Sequence, residues 1–161
     1  MNREELLQYL KQEEEMAHMK GWDFSYINDR YEEEDELPWD FKSLIQEVLT
    51  DDSILLDMET GGGEFLRSLG HPFDKTYAIE AYPPNVQFCK EELLPLGIHF
   101  LEADGEETLP FKDETFDVVT NRHGSYLEEE VYRVLKPGGY FLTQQVGADN
   151  DKELIELLTP E

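Results

Sequence analysis

SILLDMETGGGE, residues 53–64, joins a short apolar run to three consecutive glycines. A run this short, ended abruptly by turn residues, reads as a buried strand entering a tight turn. GEFLRSLG (63–70) follows as a short helix stopped at Gly70. The alternation then continues. KTYAIEA (75–81) is a second strand, and PNVQFCKEELLPLG (84–97) a helix with Val86, Cys89, Leu93 and Leu94 facing inward. IHFLEAD (98–104) and FDVVTNR (116–122) are the third and fourth strands. SYLEEEVYRVLK (125–136) is a helix that closes at a Pro137-Gly138-Gly139 turn, YFLTQQVG (140–147) a fifth strand, and DKELIELL (151–158) a last short helix. Strands alternating with helices imply right-handed parallel crossovers and a sheet covered on both faces. The apolar, β-branched character of ILLDM and FDVVT suits strands buried on both sides. The expected fold is a Rossmann-like three-layer α/β/α sandwich with a mostly parallel sheet, spanning residues 50–161.

Residues 1–49 read as a helical extension. Leu6, Leu7, Leu10, Met16 and Met19 recur at helical spacing before Gly21, and the acidic run Glu32 to Glu36 is a solvated loop. Pro38 opens a second helix with Phe41, Leu44, Ile45, Val48 and Leu49 on one face. The aromatic residues Trp22, Phe24, Tyr26, Trp39 and Phe41 form either a lid over a ligand or a satellite hydrophobic cluster.

The chain has 161 residues, with 13 Lys and Arg against 38 Asp and Glu, a net charge of −25. Such a surface repels nucleic acid and anionic membranes. The 39% hydrophobic content is enough for a core. The lone cysteine, Cys89, allows no internal disulfide and reads as core; His18, His71 and His99 show no metal-ligand spacing, so no metal site is expected. With no apolar leader and no run long enough to span a bilayer, the expected location is the cytoplasm.

In an open parallel sheet, ligands bind beyond the carboxyl ends of the strands, where strand order reverses. The glycines of the first turn let the backbone approach such a ligand. A dinucleotide fingerprint needs a third glycine where Leu66 stands, so that pattern fails. Asp57, Glu59 and Glu64 crowd the turn; they would repel a pyrophosphate and pair with a cation. S-adenosylmethionine, with its sulfonium and ammonium groups, fits that acidity. Glu80 ends the second strand 23 residues after Asp57, near the offset of ribose-binding acids, and Asp104 ends the third, where it could read an adenine edge.

LLDMETGGGEFL, YAIEAYPPN, LEADGEETLPFKDETFDVVTNRHGSY and EVYRVLKPGGYFLTQQVG, taken in this order, resemble the class I S-adenosylmethionine-dependent methyltransferases, especially the methyltransferase type 11-like group, over roughly residues 50–147. The resemblance implies that Asp57, Glu59, Gly61 and Gly63 line the methionine part of the cofactor. It further implies that Glu80, with Ala81 beside it, holds the ribose and that Asp104 and Gly105 contact adenine. Glu59 departs from the family, which commonly has glycine there; its side chain must point away from the cofactor or pair with its ammonium group. The family also carries a helix and two further strands after the fifth. The expectation is therefore a fragment of the domain, or dimerisation through the exposed edge of the fifth strand.

The implied activity is methyl transfer to a small-molecule acceptor, and a binding module without turnover is the alternative. His123, beyond the fourth strand, is the candidate general base, its ordinary pKa lying near neutrality. Asn121 could bond the amino-acid part of the cofactor, and Arg122 could orient an acidic substrate or form a surface ion pair. Of Gln144 and Gln145, only one can face a substrate pocket on a given side of the strand.

Overall fold

The structure, a computed structural model, describes residues 1–17, 25–30 and 37–159. Its five strands are β1 (Leu55–Met58), β2 (Thr76–Glu80), β3 (His99–Glu102), β4 (Phe116–Arg122) and β5 (Leu135–Gln144). They form one sheet in the order β3-β2-β1-β4-β5, and every neighbouring pair is parallel. β1 lies at the centre because all four of its residues can be buried. β3 and β5, whose patterns alternate with exposed positions, form the edges.

Helices cover both faces. On one side, α2 (Phe41–Val48), α3 (Glu64–Ser68) and α4 (Pro83–Glu92) pack Ile45, Leu66, Val86 and Cys89 against Leu55, Ala78 and Val118. On the other, α5 (Glu128–Val134) packs Val131 and Val134 against Leu56, Ile79 and Val119. The sheet residues in the two sets alternate along each strand, as the pleat requires. The three-layer parallel architecture expected from the alternation is the one found, and no helix among the described residues is long and apolar enough to cross a membrane.

Several local expectations change. The helix expected to run to Gly97 stops at Glu92, and a 3-10 turn over Leu94–Leu96 leaves Leu94 exposed while Leu93 stays in the core. Asp40 rather than Pro38 opens α2, its carboxylate accepting the Lys42 N–H at 3.1 Å. Leu44 is exposed on that helix. The Pro137-Gly138-Gly139 turn does not precede β5 but lies within it: Phe116 pairs with Leu135 and Val118 with Tyr140, so residues 136–139 bulge out. Lys136 in that bulge meets Asp117 at 2.7 Å. The N-terminal helix, α1 (Arg3–Met16), is closed by an Asn2–Glu5 capping box, and neither it nor α6 (Lys152–Leu158) buries a residue. His18, Met19, Gly21, Trp22, Phe24 and Glu32 to Glu36 lie outside the described residues.

Candidate functional site

Strand order reverses between β1 and β4, whose register pairs Met58 with Asn121. The chain therefore leaves the sheet side by side at Glu59 and at Arg122-His123, opening the crevice where such sheets hold ligands. Both exits are left-handed: Glu59 has φ 54° and His123 φ 61°, a conformation that costs a side-chain-bearing residue about 1 kcal/mol or more. Gly61 and Gly63 continue the bend at φ 63° and 77°. A Cβ on Gly63 would come within 2.6 Å of Leu93, so this position needs glycine for space as well as for conformation.

Glu80 ties the turn to β2. Its carboxylate accepts the Gly61 N–H at 2.8 Å, the Ala81 N–H at 3.0 Å and the Tyr82 N–H at 2.9 Å, and it is almost fully buried. The Cys89 thiol reaches the Gly61 carbonyl at 3.0 Å from α4; burial pushes that thiol up to about 12 and keeps it protonated. Asp57, buried at the centre, accepts the Thr120 hydroxyl at 2.7 Å from the adjacent strand. Burial raises its pKa to about 6, against the opposing pull of hydrogen bonding and of the Arg122 charge.

Glu59 crosses from the end of β1 to the loop after β3, where its Oε1 accepts the Gly105 N–H at 3.1 Å. Gly124 lets it pass: a Cβ there would lie 2.4 Å from Glu59 Cγ. Burial raises the Glu59 pKa to about 7, and the negative charges of Glu80, Asp104 and Glu106 add to the effect. The family's usual glycine is thus replaced by a carboxyl group that holds the Gly105 N–H expected to contact adenine. Asp104 itself caps its own loop, accepting the Glu106 N–H at 2.8 Å.

On β4, Asn121 is fully buried. Its Oδ1 accepts from Gln145 at 2.7 Å, while its Nδ2 is buried without a hydrogen-bond partner among the described residues. A buried donor left without an acceptor costs about 1–3 kcal/mol, which a ligand acceptor would recover. His123 is exposed at the mouth, and its backbone N–H donates to Gln144 at 2.9 Å. Partial burial and the Arg122 charge lower its pKa below 6.5, so the ring is neutral at pH 7. The expected site residues Asp57, Glu59, Gly61, Gly63, Glu80, Ala81, Asp104, Gly105, Asn121 and His123 all lie at or just beyond the carboxyl ends of β1, β2, β3 and β4.

Of the aromatic residues read as a lid or a satellite cluster, Tyr26, Trp39 and Phe41 fall among the described residues. Phe41 is buried and stacked on Phe65 at 5.9 Å, and the Tyr26 hydroxyl donates to Glu13. Trp39 donates to Gln144 at 3.3 Å. His71 and His99 bond backbone carbonyls, of Ser53 and Asp74. Three contributions escaped the sequence reading, the last of them from Gln145, which was read only as a pocket candidate. Thr120 could have been found, since it faces Asp57 across the register; the passage at Gly124 and the bond from Gln145 to Asn121 had no local signal.

A parallel sheet with a glycine turn and buried acids at its switch point defines a Rossmann-like domain built for a nucleoside-bearing ligand. A family profile described as "Methyltransferase domain" matches residues 56–143, and the chain belongs to that family. Among curated proteins, it is 43% identical over 89 residues to the "Probable phthiotriol/phenolphthiotriol dimycocerosates methyltransferase 2" of Mycobacterium ulcerans, an alignment covering 50% of this chain and 33% of that protein. It is 35% identical over 89 residues to the fatty-acid O-methyltransferase of Mycolicibacterium smegmatis, covering 51% and 32%. The chain thus spans about a third of the length of these relatives. Among solved structures, a SAM-dependent methyltransferase from Aquifex aeolicus superposes with a TM-score of 0.56 at 22% identity, over 74% of this chain and 78% of that one. The YcgJ protein of Bacillus subtilis gives 0.58 at 23%, over 73% and 55%. Both likenesses concern the fold.

Proposed function

We propose that this chain binds S-adenosylmethionine at the β1–β4 crevice and belongs to an enzyme that methylates a small-molecule acceptor. The observation that carries the reading is a set of carboxyl groups, buried Asp57 and Glu80 with half-buried Glu59, gathered around a glycine turn. A cation stabilises the ionised form of such groups, and the cofactor is cationic at both sulfur and nitrogen. The buried, unpartnered Asn121 Nδ2 adds a donor suited to a carboxylate or hydroxyl of the ligand.

When bound, the cofactor supplies an activated methyl group, so the chain's own residues have chiefly to hold and orient. Asp57, Glu59, Gly61 and Gly63 would face the methionine part. Glu80 has most of its acceptor capacity committed to backbone N–H groups, so it would shape the ribose site through the turn as much as by direct contact. Asp104 and Gly105 would meet adenine once Glu59 releases the Gly105 N–H. His123, neutral at pH 7, would accept a proton from an acceptor that arrives protonated.

The second reading, a binding module without turnover, draws on Glu59, whose carboxyl group already takes the Gly105 N–H. Calorimetry with S-adenosylmethionine and S-adenosylhomocysteine should show binding of both and none of NAD; binding of NAD in their place would overturn the assignment. Transfer of labelled methyl from the cofactor to a metabolite extract separates enzyme from binder. The proposed setting is the cytoplasm, and the proposed oligomer is a dimer through the outer edge of β5, which carries no further strand among the described residues. A monomeric mass by light scattering would reject the dimer.

A further inference from the structure

Arg122 stands out among the cations of this acidic chain. Arg30, Arg67 and Arg133 each meet a carboxylate, and Arg3 lies exposed on α1. Arg122 alone among the arginines is half-buried with no carboxylate in ion-pairing range among the described residues. Its guanidinium lies 4.2 Å over the Phe65 ring, and its Nε is buried without a hydrogen-bond partner. Arg3 and the lysines outside ion pairs can keep their charge in water, but burying part of a guanidinium without an acidic partner is costly, and in a chain with 25 excess negative charges that makes Arg122 conspicuous.

The surroundings of Arg122 are apolar on one side. It is paired in register with Gln144, and its ring partner Phe65 stacks on Phe41. Gln144 and Phe41 both line a groove of about 460 Å³ between α2 and the end of β5, whose apolar lining includes Trp39, Leu44 and Leu142. The volume lies within the range of small-ligand sites. Arg122 thus lies beside a groove with a largely apolar lining, joined to it through Phe65 and Gln144.

We propose that Arg122 and this groove bind an amphipathic monocarboxylate, with the carboxylate on the guanidinium and the hydrocarbon body along Trp39, Leu44 and Leu142. The planar guanidinium matches a carboxylate in two parallel hydrogen bonds. A single negative charge suits the place better than a phosphate dianion, since Asp57 and the surrounding acidic surface would repel the larger charge. The groove selects for an apolar body by burial alone. That this ligand is the methyl acceptor rests on the function proposed above. In that role a carboxylate oxygen forms the new O–CH3 bond as the S–CH3 bond breaks. The electron pair stays on sulfur, giving an ester and a neutral thioether, and no proton has to be removed.

The site can be tested without the cofactor, by calorimetry of the intact chain with decanoate and with decan-1-ol. Decanoate should bind at least tenfold tighter than decanol. Arg122→Gln should weaken decanoate at least tenfold and leave decanol unchanged, and Arg122→Lys should restore part of the loss. Leu44→Glu, on an exposed helix position, should weaken both ligands. Equal affinity for decanoate and decanol, failure of decanoate to bind, or indifference to Arg122→Gln would overturn the proposal; the wild-type ratio and the lysine variant decide it even where the glutamine variant folds poorly. Decanoate binding without any binding of S-adenosylhomocysteine would keep the site and overturn its role as a methyl-acceptor site.

Discussion

Replacing Glu59 by glutamine isolates the charge of the one acid that departs from the family's glycine. Glutamine keeps the volume, the left-handed backbone and an oxygen for the Gly105 N–H, so conformational strain and hydrogen bonding cancel in the comparison. What differs is a carboxyl group whose pKa rises from 4.5 to about 7 on folding, chiefly through burial. The sign follows from proton counting. Between these values the unfolded chain has released the proton and the folded chain still holds it, so stability falls as pH rises and levels off above about 7. The slope is about 1.4 kcal/mol per pH unit. From pH 5 to pH 8, discounted for a side chain that is only partly buried, the loss comes to about 2 kcal/mol. Urea unfolding followed by circular dichroism at pH 5, 6, 7 and 8 reads this directly. The variant should match the wild type at pH 5 and exceed it by about 2 kcal/mol at pH 8, while Asp57 and the many surface acids shift both proteins alike. A difference that stays constant across the range would refute the claim that half-buried Glu59 keeps its proton on folding.

The same proton links Glu59 to the cofactor: an ammonium or sulfonium beside it favours the ionised form, so S-adenosylmethionine should bind several-fold tighter at pH 7.5 than at pH 6. Calorimetric enthalpies that are identical in phosphate and Tris at pH 6.5 would show that no proton leaves on binding. Glu80→Ala strips three backbone N–H groups of their acceptor and should lower stability by about 2–4 kcal/mol before any ligand is added, visible as a fall in melting temperature. An unchanged melting point would mean that these hydrogen bonds do not hold the turn. Gly63→Ala sets a Cβ against Leu93 in a left-handed backbone and should cost at least about 2 kcal/mol, whereas Gly97→Ala, also left-handed but with open space around it, should cost about 1 kcal/mol in the same chemical denaturation. Equal losses would deny the contact with Leu93.

The sheet was legible because its central strands announce themselves: a residue pattern buried on both faces, as in β1, can lie only in the middle of a covered parallel sheet. The ends of elements were less legible, since they depend on contacts far away in sequence. Leu93 and Leu94 are chemically identical, yet one packs against the glycine turn and the other faces water once α4 gives way to a 3-10 turn. The bulge at residues 136–139 is held by Lys136 on Asp117, a pairing that spacing along the chain does not reveal.

The candidate site divides along the same line. That acids would gather around the glycine turn could be read from the strand ends; what each acid does could not, because a carboxyl group looks the same in a sequence whether it faces a ligand or a backbone amide. Glu80 is the instructive example. Its position matches a ribose-binding acid, but in the fold it accepts three N–H groups and so holds the glycine turn in place. Any loss of affinity on removing it therefore mixes contact with architecture. Arg122 shows the converse. On sequence grounds an arginine amid so many carboxylates belongs in a salt bridge; in the fold it lies over the Phe65 ring beside a largely apolar groove, with no ion pair among the described residues. In the reading proposed above, the acids around the turn offer a place for a cation and Arg122 beside them a place for an anion, the pairing needed to bring a sulfonium and a carboxylate together.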